Sequence, residues 1–281
     1  MARFGFCGPT YAVQSPIQDA ERAINWYPEN DEGDGKSAIA LFPTPGLNLF
    51  CALSGPSVRG IIFIKGRCFS VSGTNLYEIF ADGTKIVRGQ VGNDGNMASL
   101  SASQLHVVVV SAGAIYVLTL GTNAFQKIIN DSSGTAIPPV AQVDFSDGFF
   151  LILLANSQQF NISAPEDPTN WISTQSVAVS EFADNVIAFK VDHRQPWLFG
   201  PKATVVYFDS GSANLFDPIP GGFIENGIAA GLSLVKLDNS LFWIDLDERG
   251  QGIVRRANGY TPQRVSNHAV EFAMQSYATI S

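Results

Sequence analysis

The sequence predicts an all-β fold, a β-propeller of about five to six four-stranded blades preceded by an irregular N-terminal arm and hairpin. Three observations carry this reading. Val58 to Val91 reads as four short strands folded back and forth, and the same grammar returns four more times, beginning near Met97, Pro139, Val186 and Gly227. The spacing, about forty residues per unit, is that of propeller blades. The third strand of the first four units carries an aromatic side chain, Tyr77, Tyr116, Phe160 and Tyr207, while the fifth has Arg255 instead. A lone four-stranded sheet leaves two apolar faces uncovered, so successive units must stack on one another. A β-sandwich with evenly spaced strands is the competing architecture.

The first unit sets the pattern. Its strands are expected at Gly60–Ile64, Cys68–Ser72, Asn75–Phe80 and Thr84–Gln90, with reversals at Lys65-Gly66, Ser72-Gly73 and Asp82-Gly83. Glycine or Asp-Gly at each reversal is hairpin chemistry rather than helix capping.

Residues 1–50 read as the arm and hairpin, 51–268 as the propeller repeats, and 269–281 as a C-terminal segment that can open a further blade. Gly5, Gly8 and Pro9 break up the arm. Ser15-Pro16-Ile17-Gln18 resembles a capping box with room for a short helical turn. Strands at Ala23–Pro28 and Ser37–Phe42 flank the turn-rich NDEGDGK, and Pro43-Thr44-Pro45-Gly46 ends the hairpin. Asn25, Trp26, Tyr27, Pro28 and Glu29 are expected where this hairpin joins the propeller or an adjacent subunit, because uncovered strand edges invite aggregation. The connection from Ser163 to Asp184, with Pro165, Pro168 and Trp171, is expected to be an excursion on one face.

At 281 residues with 46% hydrophobic and 15% charged side chains, the chain can build a full core. Its longest apolar runs, Phe149–Ala155 and Leu105–Val110, are far short of a membrane span and read as buried strands. The first 18 residues show no secretory signal pattern. Cys7, Cys51 and Cys68 are odd in number and widely spaced, which predicts reduced thiols. The net charge of −8 leaves no basic stripe for phosphate, so tight direct nucleic-acid binding is not expected. Arg255, Arg256 and Arg264 are expected to serve contacts within or between subunits.

Catalytic, cofactor-binding and metal-binding residues are not predicted. Gly35-Lys36-Ser37 ends like a phosphate-binding loop, but Asn30 stands where the first glycine is required. His106, His193 and His268 fall in different units without ligand spacing. Asp245 to Gly250 superficially resembles a calcium loop, but Arg249 and Arg256 occupy ligand positions, so a solvated hairpin turn is expected. Asp144 and Asp147 are read as bracketing a turn in the same way. Asn130-Asp131-Ser132 and Asn161-Ile162-Ser163 match the glycosylation pattern without a secretory context to use it.

FADNVIAFKVDHRQPWLFGPKATVVYFDSG, then IPGGFIENGIAA, then DNSLFWIDLDERGQGIVRRANGYTPQRVSNHAVE resemble the packaged-DNA stabilisation proteins of short-tailed bacteriophages, as do NWYPE at Asn25–Glu29 and TPGL at Thr44–Leu47. The resemblance implies a virion structural protein, a tail hub or nozzle subunit. It would self-associate in a ring, a hexamer in that family, between the portal-adaptor protein and the tail needle, spike or fibre proteins. It would retain packaged DNA and form part of the ejection conduit, with no membrane insertion and no catalytic residues to carry over. It also implies members longer than this chain. From a different class, a soluble propeller that binds or hydrolyses a small ligand such as a sugar is the alternative.

Overall fold

Residues 25–30, 39–211 and 215–277 are described by a computed structural model, and in them four strands at a time pair in sequence order into five antiparallel sheets. The first blade comprises β3 (Val58–Ile64), β4 (Arg67–Ser72), β5 (Asn75–Ile79) and β6 (Lys85–Gln90), after a separate hairpin of β1 (Trp26–Asn30) and β2 (Ile39–Pro43). The second blade is β7 (Ser99–Ala102), β8 (His106–Ser111), β9 (Ala114–Thr119) and β10 (Phe125–Ile128). The third is β11 (Val140–Ser146), β12 (Phe149–Leu154), β13 (Gln159–Ala164) and β14 (Asp167–Ala178). The fourth is β15 (Ala188–Asp192), β16 (Gln195–Phe199), β17 (Thr204–Asp209) and β18 (Phe216–Ile224). The fifth is β19 (Val235–Leu237), β20 (Ser240–Leu246), β21 (Gly252–Asn258) and β22 (Thr261–Arg264), followed by helix α1 (His268–Gln275). The propeller expectation holds in element type, order and repeat.

Local chemistry explains the reversals. Lys65 and Gly66 at the β3–β4 turn both have positive φ, 50° and 73°, the type I′ geometry whose twist matches that of the flanking strands. The same geometry recurs at Asp147-Gly148 between β11 and β12. Side-chain alternation then sends one face of each blade forward and the other back. First strands of consecutive blades lie next to one another, so they form the inner edge of the array. There β3 approaches β7 closely enough that a Cβ on Gly60 would lie 2.3 Å from Leu100 Cδ1.

Four buried clusters, each bridging consecutive blades, make the core. Phe69, Val71 and Leu76 meet Val107, Val109 and Tyr116; Val108 and Val117 meet Phe150, Ile152 and Trp171. Phe160 and Ile162 meet Phe189, Leu198 and Tyr207; Trp197 and Phe199 meet Leu241 and Trp243. Each fully buried side chain of this size is worth about 1.5–3 kcal/mol of transfer free energy. The third-strand aromatics are all buried, but they are not equivalent. Tyr116 and Tyr207 pack toward the preceding blade and Phe160 toward the following one.

One expectation about the blades is corrected. Most of Ser163 to Asp184 is not an excursion: β14 is the outer strand of the third blade, and Trp171 is buried in the core between blades two and three. Its prolines fit because register shifts near Ser163 and Ala164 relieve the ladder. The described part of 269–281 begins within a short helix. Asn267 caps α1, its side chain accepting from the Val270 N–H, and Glu271 and Met274 are buried. The hairpin pairs as expected, its strands ending two residues and one residue further along than drawn, and it hydrogen-bonds to no blade strand among the described residues.

No described cluster joins the fifth blade to the first. Ile61 and Phe63 on the free face of the first blade are exposed, Phe63 by 69%, as are Val235 and Leu237 on the fifth. Residues 50–57 cover part of the first blade's free face. Ser72 Oγ donates to the Ser57 carbonyl at 2.9 Å, Lys85 Nζ donates to the Ala52 carbonyl, and Tyr77 beneath is buried.

Candidate interaction surfaces and inter-blade clamps

The hairpin is built from its base upward. Asn25, at φ 59°, offers its carbonyl to the Thr44 N–H at 2.9 Å and to Thr44 Oγ1 at 3.2 Å, which ties the two ends together. The register sets Trp26 opposite Pro43, Tyr27 opposite Phe42, Pro28 opposite Leu41 and Glu29 opposite Ala40. Tyr27 stacks on Phe42 at 6.0 Å. Trp26 is 49% exposed, and Tyr27, Leu41, Phe42, Leu47, Leu49 and Phe50 are exposed as well. Asn25 to Glu29 are thus brought together on a small sheet whose aromatics are not covered by a blade. The arm, the Ser15–Gln18 turn, Cys7 and the Gly35-Lys36-Ser37 string lie outside the described residues.

Buried charges act as clamps, some between blades and some within one. Arg59 is 2% exposed, and its guanidinium donates to the carbonyls of Asn96, Gly73 and Gly92 at 2.6, 2.8 and 3.0 Å and to Ser111 Oγ. Glu78 receives Arg67 Nε at 2.6 Å and Arg88 Nε at 2.6 Å. Chiefly the hydrogen bond from Arg67, then that from Arg88, holds its carboxyl below the usual carboxylate range, outweighing desolvation. At the C-terminal end Arg264, with help from Ser266, does the same to Glu271.

Asp144 and Asp245 depart from the solvated-turn reading. Asp144 lies within β11, accepting from Ser101 Oγ at 3.1 Å and the Val191 N–H at 2.9 Å and pairing with Lys190 at 3.0 Å, so it links three blades. Asp245 is buried in β20 and accepts from Arg255 Nε at 2.6 Å and Asn226 Nδ2 at 3.1 Å. Arg255 therefore replaces the third-strand aromatic because a buried carboxylate faces it. Asp247 to Gly250 is the turn expected, with Asp247 accepting from the Arg249 and Gln251 N–H groups. Arg255, Arg256 and Arg264 all make contacts within the chain, to Asp245, Asp238 and Glu271.

The structure does not bring the histidines together: His106 opens β8, His193 sits in the β15–β16 turn and His268 opens α1. Among the described residues no group of three His, Cys, Asp or Glu side chains is placed to hold a metal, and no helix is long and apolar enough to cross a membrane. Cys51 and Cys68 are free thiols, and burial pushes the Cys68 thiol up. An 880 Å³ opening beside β20 is lined by mixed charges including Lys202, Glu225, Asp247 and Arg264. A 550 Å³ opening is rimmed by Met97, Ile187 and Leu232, residues that precede the first strands of blades two, four and five.

A protein-family profile described as bacteriophage P22 Gp10, beta-propeller, matches residues 22–281. A search of curated proteins finds no match. Among solved structures, the extracellular domain of a hybrid two-component system from B. thetaiotaomicron superimposes with a TM-score of 0.51 at 11% identity, over 82% of this chain and 31% of that one. The dihydro-heme d1 dehydrogenase NirN gives a TM-score of 0.49 at 16% identity, over 80% of this chain and 48% of that one. The chain thus spans less than half the length of these structures, and the first likeness bears on the fold alone.

Proposed function

This chain belongs to the bacteriophage P22 Gp10 β-propeller family, and from that premise we propose that it is a subunit of the tail hub, or nozzle, of the virion. In this reading copies assemble into a ring beneath the portal-adaptor protein and above the tail needle, spike or fibre proteins. The ring retains the packaged genome and later forms part of the conduit through which it leaves. The subunit has no catalytic role. The observation that carries the proposal is the uncovered aromatic hairpin, with Trp26, Tyr27, Leu41 and Phe42 outside the blades, which is what a part built to be covered by a neighbour looks like.

Charge supports the same reading. A conduit must let DNA slide, and each cation that neutralises a phosphate adds favourable counterion release and therefore friction. Among the described residues nine Lys and Arg side chains already face a carboxylate within 4 Å, and the chain carries −8 overall. Retention then comes from the closed ring and the proteins below it, not from affinity of the subunit for DNA.

Trp26→Ala tests the assembly. Because the indole is half exposed, the isolated variant should melt within about 0.5 kcal/mol of the wild type, as surface changes do. Negative-stain images of the wild type mixed with portal-adaptor protein should show rings, and W26A should not form them. Rings of equal abundance in W26A would remove the hairpin from the interface, and a wild type that never forms rings would remove the hub reading.

A further inference from the structure

We propose that a cleft between the fourth and fifth blades binds a single neutral pyranose ring, as one unit of a glycan. Three turns converge there, β15–β16, β19–β20 and β21–β22, and enclose a cavity of 220 Å³. Tyr260, 38% exposed, lies against buried Trp197 with ring centroids 5.8 Å apart, and its hydroxyl donates to Gln195 Oε1 at 3.1 Å. The hydrogen bond and the tilted contact with the indole, at 43° between ring planes, hold the phenol ring as a fixed platform. Asp192, 5% exposed, lines the same cavity with Oδ2 2.8 Å from His193 Nδ1. Its Oδ1 is buried and pairs with Lys236 Nζ at 2.8 Å, so the carboxylate is compensated and held in place. Asn239 adds an amide at the rim.

The combination selects the ligand class. An aromatic wall beside a few convergent polar groups suits a molecule with one apolar face and hydroxyls around its edge. An anion would meet the Asp192 carboxylate, and a cation would meet Lys236, which already compensates that carboxylate, so a neutral polyol is favoured. The cavity is smaller than the roughly 300–1,000 Å³ of sites for drug-sized ligands, which limits the occupant to one ring. Glycoside hydrolysis needs two flanking carboxyl groups, whereas among the described residues Asp192 is the one carboxylate lining this cavity, so the proposed site is one of binding rather than cleavage. The proposal stands independently of the hub reading, since it requires only the seam between two blades.

Saturation-transfer NMR of the purified full chain with the methyl glycosides of glucose, galactose, mannose and rhamnose tests it. At least one should receive saturation from the protein, with affinity on the order of millimolar. Tyr260→Phe should retain the transfer, because the ring remains. Tyr260→Ala should weaken it about tenfold, equivalent to ~1.4 kcal/mol. Should Y260A fail to fold, Asn239→Gly serves instead: glycine keeps the positive φ of 53° at that turn while deleting the amide, and it should reduce the transfer. No transfer to any of the four glycosides, or undiminished transfer in whichever of these two deletion variants folds, overturns the proposal.

Discussion

Arg59→Met is expected to be among the most damaging single substitutions, lowering stability by about 2–4 kcal/mol. The methionine fills most of the volume and removes the charge, but the carbonyls of Gly73 and Asn96 lose their donor at the seam between blades one and two, while the Gly92 carbonyl keeps the Ser111 hydroxyl. Each buried acceptor left unpaired costs about 1–3 kcal/mol, which is why the cost exceeds that of an exposed ion pair by severalfold. Asp94, 3.6 Å from the guanidinium and partly exposed, can turn to water and adds little. Thermal melting should move down by on the order of 10 °C at 2–4 °C per kcal/mol for a chain of this size. A shift no larger than that of a surface variant would show that the seam does not depend on this side chain.

Glu78→Gln should cost about 3 kcal/mol at neutral pH, because two guanidiniums, Arg67 and Arg88, then face a neutral amide in a site where Glu78 itself is 3% exposed. Its folded pKa is depressed, so its contribution is fully present above the unfolded value, about 4.3, and is lost as pH falls through the lower folded value. The gap between wild type and E78Q, read by denaturant melts, should therefore be constant above about pH 5.5 and shrink in acid. Glu271, held down by Arg264, gives the wild type the same sense of acid destabilisation. A gap that widens in acid would contradict the assignment of Glu78 as the ionised partner.

Much of the fold was legible because turn chemistry and alternation are local. Lys65-Gly66 and Asp147-Gly148 announce the reversals that the structure contains, and the run Phe149–Leu154 shows a buried strand without reference to its neighbours. What was hidden is non-local. VRGIIF shows a charged residue in an apolar strand but not that three carbonyls from two loops converge on it. Asp144 looks like a turn residue because Ser146-Asp147-Gly148 follows it, whereas strand parity turns its carboxylate toward Ser101 and Lys190 of neighbouring blades. Pro165 and Pro168 argue for a loop by local rules, and only the register shifts and the cavity that Trp171 fills make an outer strand possible. The hairpin aromatics were legible as a group, Asn25 to Glu29, while their exposure depends on where the whole hairpin sits. The 220 Å³ cleft left no trace in the sequence, since Asp192, Asn239 and Tyr260 come from three turns in two blades.

The tail-hub assignment is tested most directly by locating the chain in the virion. Gold-labelled antibody against the purified chain, imaged on intact particles and on particles whose tails have been sheared off, should mark the base of the tail and depart with it. Label spread over the capsid shell, or virions that carry none of the chain, would contradict the assignment.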